Sequence, residues 1–295
     1  MPKTTLPEPI DGLKFIDVHC HLGHMHSDKL PSDEQQYSDF FKNGGVYLIT
    51  SSIDNNTLNK TIQFVRNREK MGYTCGWAPQ TVTYTSPTQY DEEWIKWVDF
   101  IQTNDDFLAI GEIGLDFHHA KTLEKRNRQV SELRKIFEVS EDLQKPYVLH
   151  VRNAAEHEFD RANPKHRFNN RDGANKEILR LLKDFDIISS RVMWHCFSGP
   201  EEYGLSLSKQ GYTLSVPSSA YGVNKWRRVT KSSSLNSLVT ETDSYYQHPY
   251  LRGPVNVPSN VKYTIAAIAY THNLSQQDVS KQTVSNAVKF FNLKI

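Results

Sequence analysis

Near its start the chain reads Phe15-Ile16-Asp17-Val18-His19-Cys20-His21, an apolar run that ends in two histidines. Alternate side chains of a β-strand point to the same face, so the run predicts a strand on which Asp17, His19 and His21 share one face. Two imidazoles two residues apart at the end of a strand form a natural half-site for a metal ion. A strand that carries two histidines by chance is the alternative, because histidine has only an intermediate preference for burial.

Seven further apolar runs predict strands, at 46–50, 73–79, 107–116, 146–152, 191–199, 212–216 and 238–243. Helices are predicted at 32–42, 58–70, 92–101 and 124–143, in a segment that ends near Phe185, and in a C-terminal part interrupted near Asn273. Eight strands that mostly alternate with helices indicate an α/β fold, the (β/α)8 TIM barrel. We find no internal repeat or linker, so residues 1–295 are expected to form a single domain.

Composition narrows the class of protein. The chain has 295 residues, of which 38% are hydrophobic, and its formal net charge is +1, so no global field would attract nucleic acid or an anionic membrane. Cys20, Cys75 and Cys196 lie inside predicted strands, and free buried thiols in a reducing compartment are expected. The N-terminus has no apolar signal-peptide core, and no stretch is long and apolar enough to span a membrane. A soluble, cytoplasmic protein is predicted.

Residues that commonly bind metals recur where the predicted strands end, which is the face of a TIM barrel that carries the chemistry. Six nitrogen or oxygen ligands are too many for one tetrahedral ion, and they suit two ions bridged by a carboxylate and a water. Glu112, between two glycines in an apolar run, would be costly to bury without a cation, and a salt bridge to Arg or Lys is the alternative. The predicted metal ligands are His19, His21, Glu112, His150, His195 and Asp243.

Five motifs, in this order along the chain, resemble those of the TatD family of metal-dependent hydrolases and deoxyribonucleases, within the amidohydrolase-like barrels. They are Asp17-Val18-His19-Cys20-His21, Gly111-Glu112-Ile113-Gly114-Leu115-Asp116, His150-Val151-Arg152, His195-Cys196-Phe197-Ser198-Gly199 and Glu241-Thr242-Asp243. Pro254-Val255-Asn256-Val257-Pro258 is similar to the family segment that follows strand 8. The resemblance covers nearly the whole chain; the second and fourth motifs are specific, whereas His-x-His alone is not.

The resemblance implies a role for each ligand. One metal would be held by His19, His21, Glu112 and Asp243, and the second by Glu112, His150 and His195, with Glu112 as the bridge. A divalent ion lowers the pKa of a bound water, so Asp243 would orient that water and accept its proton. Glu112 and Asp243 are thus the implied catalytic residues. The ions are Zn²⁺, Mg²⁺, Mn²⁺ or Ni²⁺, because imidazole and carboxylate ligands suit each of them to some degree.

The sequence departs from the family pattern at two places. Trp77-Ala78-Pro79-Gln80 stands where family members commonly carry His-Pro-His, so both histidines are absent and the substrate or the efficiency is expected to differ. Asn153 follows Arg152 where an acid is common, so a partner that would orient a metal ligand is expected to be lost. Other histidines are interpreted as parts of solvated loops or of the surface: His24, His26, His157 and His166.

Four cations are candidates for substrate binding. Arg152 shares the predicted face of His150 and can clamp a phosphate through its fork of donors, or it can pair with a neighbouring acid. Lys225, Arg227 and Arg228 surround Trp226 after strand 7, where they can hold phosphates while the indole stacks a base. A helix start with solvated charges explains the same residues equally well.

Three functions remain open at this point. The first is a metal-dependent deoxyribonuclease, an exonuclease-type phosphodiesterase whose partner is DNA, either a single strand or a free end. The second is a hydrolase of a small amide, lactone or phosphoester, because the same two-metal centre serves acyl and phosphoryl substrates. The third is a non-catalytic barrel that binds nucleic acid or a protein partner, against which the complete ligand set argues.

Overall fold

The apolar runs form the strands of one parallel sheet. The computed structural model describes residues 6–24, 30–155, 158–168, 173–250, 253 and 255–295. In these ranges, each strand is hydrogen-bonded to the next in chain order, and every pairing is parallel. The strands are β1 (Phe15–Cys20), β2 (Gly45–Ser51), β3 (Met71–Cys75), β4 (Ala109–Asp116), β5 (Tyr147–Arg152), β6 (Val192–His195), β7 (Thr213–Val216) and β8 (Leu238–Thr240).

Helices connect the consecutive strands, because parallel neighbours require a crossover. They are α1 (Asp33–Lys42), α2 (Asn55–Val65), α3 (Pro79–Tyr84), α4 (Pro87–Thr103), α5 (Leu123–Ser140), α6 (Gly173–Asp184), α7 (Glu201–Lys209), α8 (Asn224–Ser232), α9 (Val261–His272) and α10 (Gln276–Phe291). The sequence prediction lacks α3 and extends the third strand too far. Pro79 instead opens α3, since its fixed φ suits the first turn of a helix.

The two ends of the sheet meet through backbone hydrogen bonds beyond β8. The amide of Asp243 donates to the carbonyl of His19, and the amide of His21 donates to the carbonyl of Ser244, both at 2.9 Å. The hydroxyl of Thr240 also donates to the carbonyl of Ile16 at 2.7 Å. These bonds join the first strand to the last, and the predicted (β/α)8 barrel is confirmed.

Asp17 corrects the prediction that three side chains of β1 share one face. The pairing of β1 with β2 shifts register between Asp17 and Cys20, which interrupts the two-residue alternation. The Asp17 carboxylate, which is fully buried, accepts hydrogen bonds from the amide and the hydroxyl of Thr242. It also accepts from the backbone amide of His19 at 3.2 Å, so Asp17 fastens β1 to the segment beyond β8, whereas the metal-binding groups of the described residues contain His19 and His21 without it.

Two apolar cores hold the barrel. The larger core lies between strands and helices and contains large buried side chains such as Trp77, Trp97 and Trp194. The smaller core is built from strand residues that include Ile16 and Val148, and α10 adds Phe291 to it. Ser280 of α10 also donates to the carbonyl of Lys14, just before β1, so α10 packs at the end of the barrel where the strands begin.

The cysteines differ in their environments. Cys20 and Cys75 are buried within β1 and β3, as predicted. Cys196 follows β6, and its residue is only partly buried, so the expectation that all three lie inside strands is wrong for this one. Among the helices of the described residues, none has the length and apolar character needed to cross a bilayer.

Gly76→Ala tests the tight packing at the end of β3. A Cβ there would lie 1.9 Å from the carbonyl oxygen of Ser52 and 2.5 Å from the amide nitrogen of Glu112, so neighbouring backbone must move. We expect the free energy of unfolding to fall by about 1–3 kcal/mol, measured by denaturant titration. Gly173→Ala is the matched control, because a Cβ there would meet the Phe117 ring at an ordinary 3.7 Å. Equal losses in the two variants would contradict this account.

Candidate metal centre and active-site mouth

The barrel brings the six predicted ligands to the ends of five strands. Each belongs to a strand or follows one directly, so the closed sheet forces their side chains toward the same mouth. Two groups of three can each offer atoms that lie within 4.8 Å of one another, and Glu112 is common to both. The groups are His19, His21 and Glu112, and Glu112, His150 and His195.

The first group has Asp243 as a neighbour. The Nε2 atoms of His19 and His21 lie 3.5 Å and 3.8 Å from Oε2 of Glu112. The same two atoms lie 3.9 Å and 3.4 Å from Oδ1 of Asp243. Two imidazoles and two carboxylates thus surround one point, which is the donor set predicted for the first ion.

The second group uses the other oxygen of Glu112. Nδ1 of His150 lies 2.7 Å from Oε1 of Glu112. The ring of His195 stacks on that of His19 with the centroids 3.7 Å apart, so the two groups adjoin. Glu112 therefore stands between both sets of imidazoles, where a bridging ligand would have to be.

Hydrogen bonds from outside the cluster orient these rings. Nδ1 of His21 donates to the carbonyl of Ser51 at 3.0 Å, and Nδ1 of His195 donates to Oε2 of Glu241 at 3.0 Å. Nε2 of His150 donates to Oδ2 of Asp116 at 3.1 Å. A metal ion binds the second nitrogen of each ring in its deprotonated form, so metal binding would displace any proton held there.

His19 shows most directly that the cluster fits a cation. Its Nδ1 lies 3.0 Å from the hydroxyl of Ser51, whereas its Nε2 is buried and has no hydrogen-bond partner among the described residues. Burial and the charge of His195 lower the pKa of His19 to about 4, which favours the neutral ring. A buried nitrogen lone pair beside two carboxylates lacks only a cation to bind.

Glu112 is the charge at the centre of the cluster. Its burial would raise the pKa of its carboxyl group, but the neighbouring imidazoles of His150 and His19 and the charge of His150 hold that pKa well below the usual value. Glu112 is therefore ionised, as a metal ligand has to be.

Two acids in this site were not assigned a role from the sequence. Asp116 orients His150, and Glu241 orients His195; both carboxylates are fully buried. Within the part of the chain that the structure describes, Oε1 of Glu241 has no hydrogen-bond partner, and Glu241 groups with His19 and His195 as a possible ligand set. Both acids belong to motifs quoted from the sequence. A motif alone, however, does not show which imidazole an acid will contact in the folded protein.

The two departures from the family pattern have visible consequences. Gln80 lines the mouth, and its Nε2 donates to Oδ2 of Asp116 at 3.0 Å. Oδ1 of Asn153 accepts from the amide of Ala174 at 2.8 Å, at the start of α6. Asn153, in place of an acid, was expected from the sequence to remove a partner that orients a metal ligand. Asp116 is an acid that orients the ligand His150.

The four histidines that were interpreted as loop or surface residues fall into three places. His24 is part-buried, its Nε2 donates to the carbonyl of Ser51 at 2.8 Å, and it lines the mouth, which corrects its interpretation as part of a solvated loop. His166 is exposed, as expected. His26 and His157 lie outside the described residues.

Two adjoining cavities open at the cluster. The mouth cavity, of about 720 Å³, is lined by five of the predicted ligands and also by Gln80, His119, Trp226 and Tyr246. A side cavity, of about 490 Å³, shares Arg152, Ser198 and Lys225 with it and adds Arg228. Three of the four predicted substrate cations therefore face this continuous space.

Arg227 corrects the prediction for the fourth cation. Its Nη1 donates to the carbonyls of Tyr221 and Ala220 at 2.7 and 3.1 Å. It lines neither cavity, because the helical periodicity of α8 turns it away from Lys225 and Arg228. We assign Arg227 a structural role at the start of α8.

A TIM barrel whose strand ends gather imidazoles and carboxylates has the architecture of a metal-dependent hydrolase. The chain belongs to the TatD family: the model described as TatD related DNase matches residues 16–292. It is accordingly a metal-dependent hydrolase.

Relatives match the chain over nearly its whole length. An uncharacterized metal-dependent hydrolase of Methanocaldococcus jannaschii is 28% identical, with 96% of this chain and 99% of that protein covered. The human protein named deoxyribonuclease TATDN3 is 25% identical, with 95% of each chain covered. A TatD family hydrolase structure from Entamoeba histolytica has a TM-score of 0.75 at 19% identity, covering 95% of this chain and 99% of that one, and this likeness concerns the fold.

Metal addition is expected to stabilise the protein through Glu112. A metal at about 100 times its Kd stabilises a folded protein by about 2.7 kcal/mol, so Tm should rise when Mn²⁺ or Zn²⁺ replaces EDTA. Glu112→Gln should lose most of this rise, because a neutral amide is a poorer ligand for both groups. Glu138→Gln, an exposed acid of α5, should keep it. Equal rises in Glu112→Gln and the unmodified protein would contradict the proposed centre.

Proposed function

We propose that this hydrolase is a deoxyribonuclease that removes nucleotides from a single strand or a free end of DNA. The observation that carries the proposal is the continuous cavity in which Arg152, Lys225 and Arg228 adjoin the ligand cluster. Cations beside such a centre suit a substrate with several phosphates. The name of the human relative, deoxyribonuclease, supports the same substrate class.

The residues of the cluster would have two roles in the reaction, metal binding and proton transfer. His19, His21, Glu112 and Asp243 would hold one ion, and Glu112, His150 and His195 a second. When bound, the ions would supply a water of lowered pKa and would offset negative charge on the phosphate. Asp243 lies at the edge of the cluster, where its carboxylate would orient the attacking water and take its proton.

The residues that line the mouth cavity favour single-stranded DNA over a long duplex. Trp226 and Tyr246 line the mouth, and Tyr246 is 57% exposed, so both rings can stack an unpaired base. The net charge is only +1, so the electrostatic attraction of an extended duplex rests on the few local cations. A short strand that enters the mouth by its end meets both the aromatic rings and the cations.

A cleavage assay tests this function. Single-stranded DNA labelled at one end or the other is incubated with Mg²⁺ or Mn²⁺, with EDTA, and with Glu112→Gln as the control for contaminating nuclease. We expect metal-dependent shortening that the Glu112→Gln variant lacks, and the label gives the direction of cleavage. No shortening beyond that of the variant, with metal shown to be bound, would rule out the DNA proposal.

The second candidate is a hydrolase of a small amide, lactone or phosphoester, and Gln80 is the observation that favours it. Gln80 lies in the mouth, in the segment where the family resemblance implies His-Pro-His, so one contact to substrate would differ here. The same metal centre serves acyl and phosphoryl transfer, so the ligands do not separate the two candidates. Hydrolysis of small esters without cleavage of DNA would favour this candidate.

Removing two cavity cations should weaken the salt dependence of DNA cleavage. The double variant Lys225→Ala/Arg228→Ala would lose two phosphate contacts. For a single strand, each contact contributes about 0.7 to the slope of log(kcat/KM) against log salt concentration. We expect the plot of log(kcat/KM) against log salt to become shallower by about 1.4. Lys281→Ala/Lys289→Ala, on exposed positions of α10, removes the same charge far from the mouth and should leave the slope unchanged. Identical slopes in both double variants would contradict phosphate binding in the side cavity.

A further inference from the structure

One buried carboxylate joins a predicted metal ligand to a histidine without an assigned role. Oδ2 of Asp116 lies 3.1 Å from Nε2 of His150 and 2.7 Å from Nδ1 of His119. The Asp116 residue is fully buried, whereas the side chain of His119 is 36% exposed and lines the mouth cavity. An imidazole that is accessible to substrate is therefore held next to the ligand cluster.

The hydrogen bonds of Asp116 decide how His119 is protonated. Near neutral pH an aspartate carboxyl group is ionised, and here it lies within hydrogen-bond distance of two imidazole nitrogens, Nε2 of His150 and Nδ1 of His119. An ionised carboxylate only accepts, so Nδ1 of His119 carries a hydrogen and donates it. Nε2 is then the ring atom that remains for the substrate, and protonation of the ring makes Nε2 a proton donor.

Further hydrogen bonds and ring contacts hold the pair formed by Asp116 and His119 in place. Oδ1 of Asp116 accepts from the backbone amide of His119 at 3.0 Å, and Nε2 of Gln80 donates to Oδ2 at 3.0 Å. The backbone amide of Asp116 donates to Oε1 of Gln129, which is itself buried, at 2.9 Å. The rings of His118 and Tyr84 are the aromatic neighbours of His119, with centroids 5.1 and 6.3 Å away. Such support is what a precisely placed catalytic imidazole requires.

We propose that His119, oriented by Asp116, is the catalytic residue that protonates the leaving oxygen of the substrate. The proposal deepens the hydrolase function described above, and its DNA form rests on the proposed deoxyribonuclease activity. An alkoxide such as the hydroxyl oxygen of a nucleoside is a poor leaving group, and general acids typically contribute about 10²–10⁴-fold to such steps.

The proposed step balances as follows in atoms and charge. The oxygen of water forms a bond to phosphorus, and the bond from phosphorus to the leaving nucleoside oxygen breaks. The electron pair of the broken bond stays on that oxygen, which takes the Nε2 proton of His119. The water gives its proton to Asp243, and exchange with solvent returns Asp243 and His119 to their starting forms.

Three other side chains of the mouth fit this role less well. Nε2 of His24 already donates to the Ser51 carbonyl at 2.8 Å. Gln80 carries an amide, which is not a general acid. Burial raises the pKa of Tyr246, which makes it a weaker acid. Among the described residues that line the mouth outside the ligand cluster, His119 is the imidazole that pairs with an acid and has a partly exposed ring.

Substrates that differ only in their leaving group test the proposal. The leaving group of a dithymidine dinucleotide is a nucleoside alkoxide. That of bis(p-nitrophenyl) phosphate is a nitrophenolate, which needs no proton. For His119→Asn we expect kcat/KM to fall on the order of 10²-fold or more with the dinucleotide, and by less than about tenfold with the nitrophenyl ester. Asparagine keeps an amide donor for Asp116, so the variant removes proton transfer and retains the orienting hydrogen bond.

Controls separate catalysis from folding and from the DNA proposal. Tm and bound metal of His119→Asn should match the unmodified protein, and His166→Gln, a surface histidine outside both cavity linings, should keep activity on both substrates. Equal losses on the two substrates, or full activity of His119→Asn on the dinucleotide, would overturn the role of His119. If the unmodified protein cleaves neither the dinucleotide nor labelled single-stranded DNA, the DNA proposal fails alone. Ethyl and p-nitrophenyl butyrate then provide the same comparison for His119.

Discussion

The buried charge of Glu112 is the constraint on which the rest of this site depends. An ionised carboxylate removed from water is costly unless opposite charge or strong donors surround it. His150 contacts one of its oxygens at 2.7 Å, and His19 and His21 approach the other. Each of these imidazoles is held by a further acceptor or hydroxyl outside the cluster, so the cost of one buried acid is distributed through two layers of polar groups.

Closure of the barrel and assembly of the site are the same event. The backbone bonds that join β1 to the segment beyond β8 involve His19, His21 and Asp243, which are themselves predicted ligands. Asp17 adds its carboxylate to this seam through Thr242. A change that loosens the seam must therefore displace two imidazoles and a carboxylate together, which couples the stability of the fold to the geometry of the mouth.

Strand periodicity and the position of polar residues at strand ends were sufficient to predict the barrel and the convergence of six side chains. These signals are local, because an apolar run identifies a strand and the fold then brings its end to the mouth. The orienting role of Asp116 and Glu241 could not be predicted, since it depends on which rings the closed barrel places beside them. Asp17 and Arg227 were misplaced for the same reason: a register shift and the turn of a helix redirected their side chains.

The metal cluster alone does not select a substrate, so selectivity has to come from the walls of the mouth. On one wall Arg152, Lys225 and Arg228 provide positive charge, and on another Asp116 holds His119 and Gln80. The cations of the first wall favour a substrate with several phosphates. In the second wall, His119 is proposed to protonate the leaving group. A phosphodiester strand uses both walls at once, because it brings a second phosphate and an alkoxide leaving group in one molecule. A small lactone or amide would leave the cations without a partner, and this asymmetry is the physical reason to place DNA first.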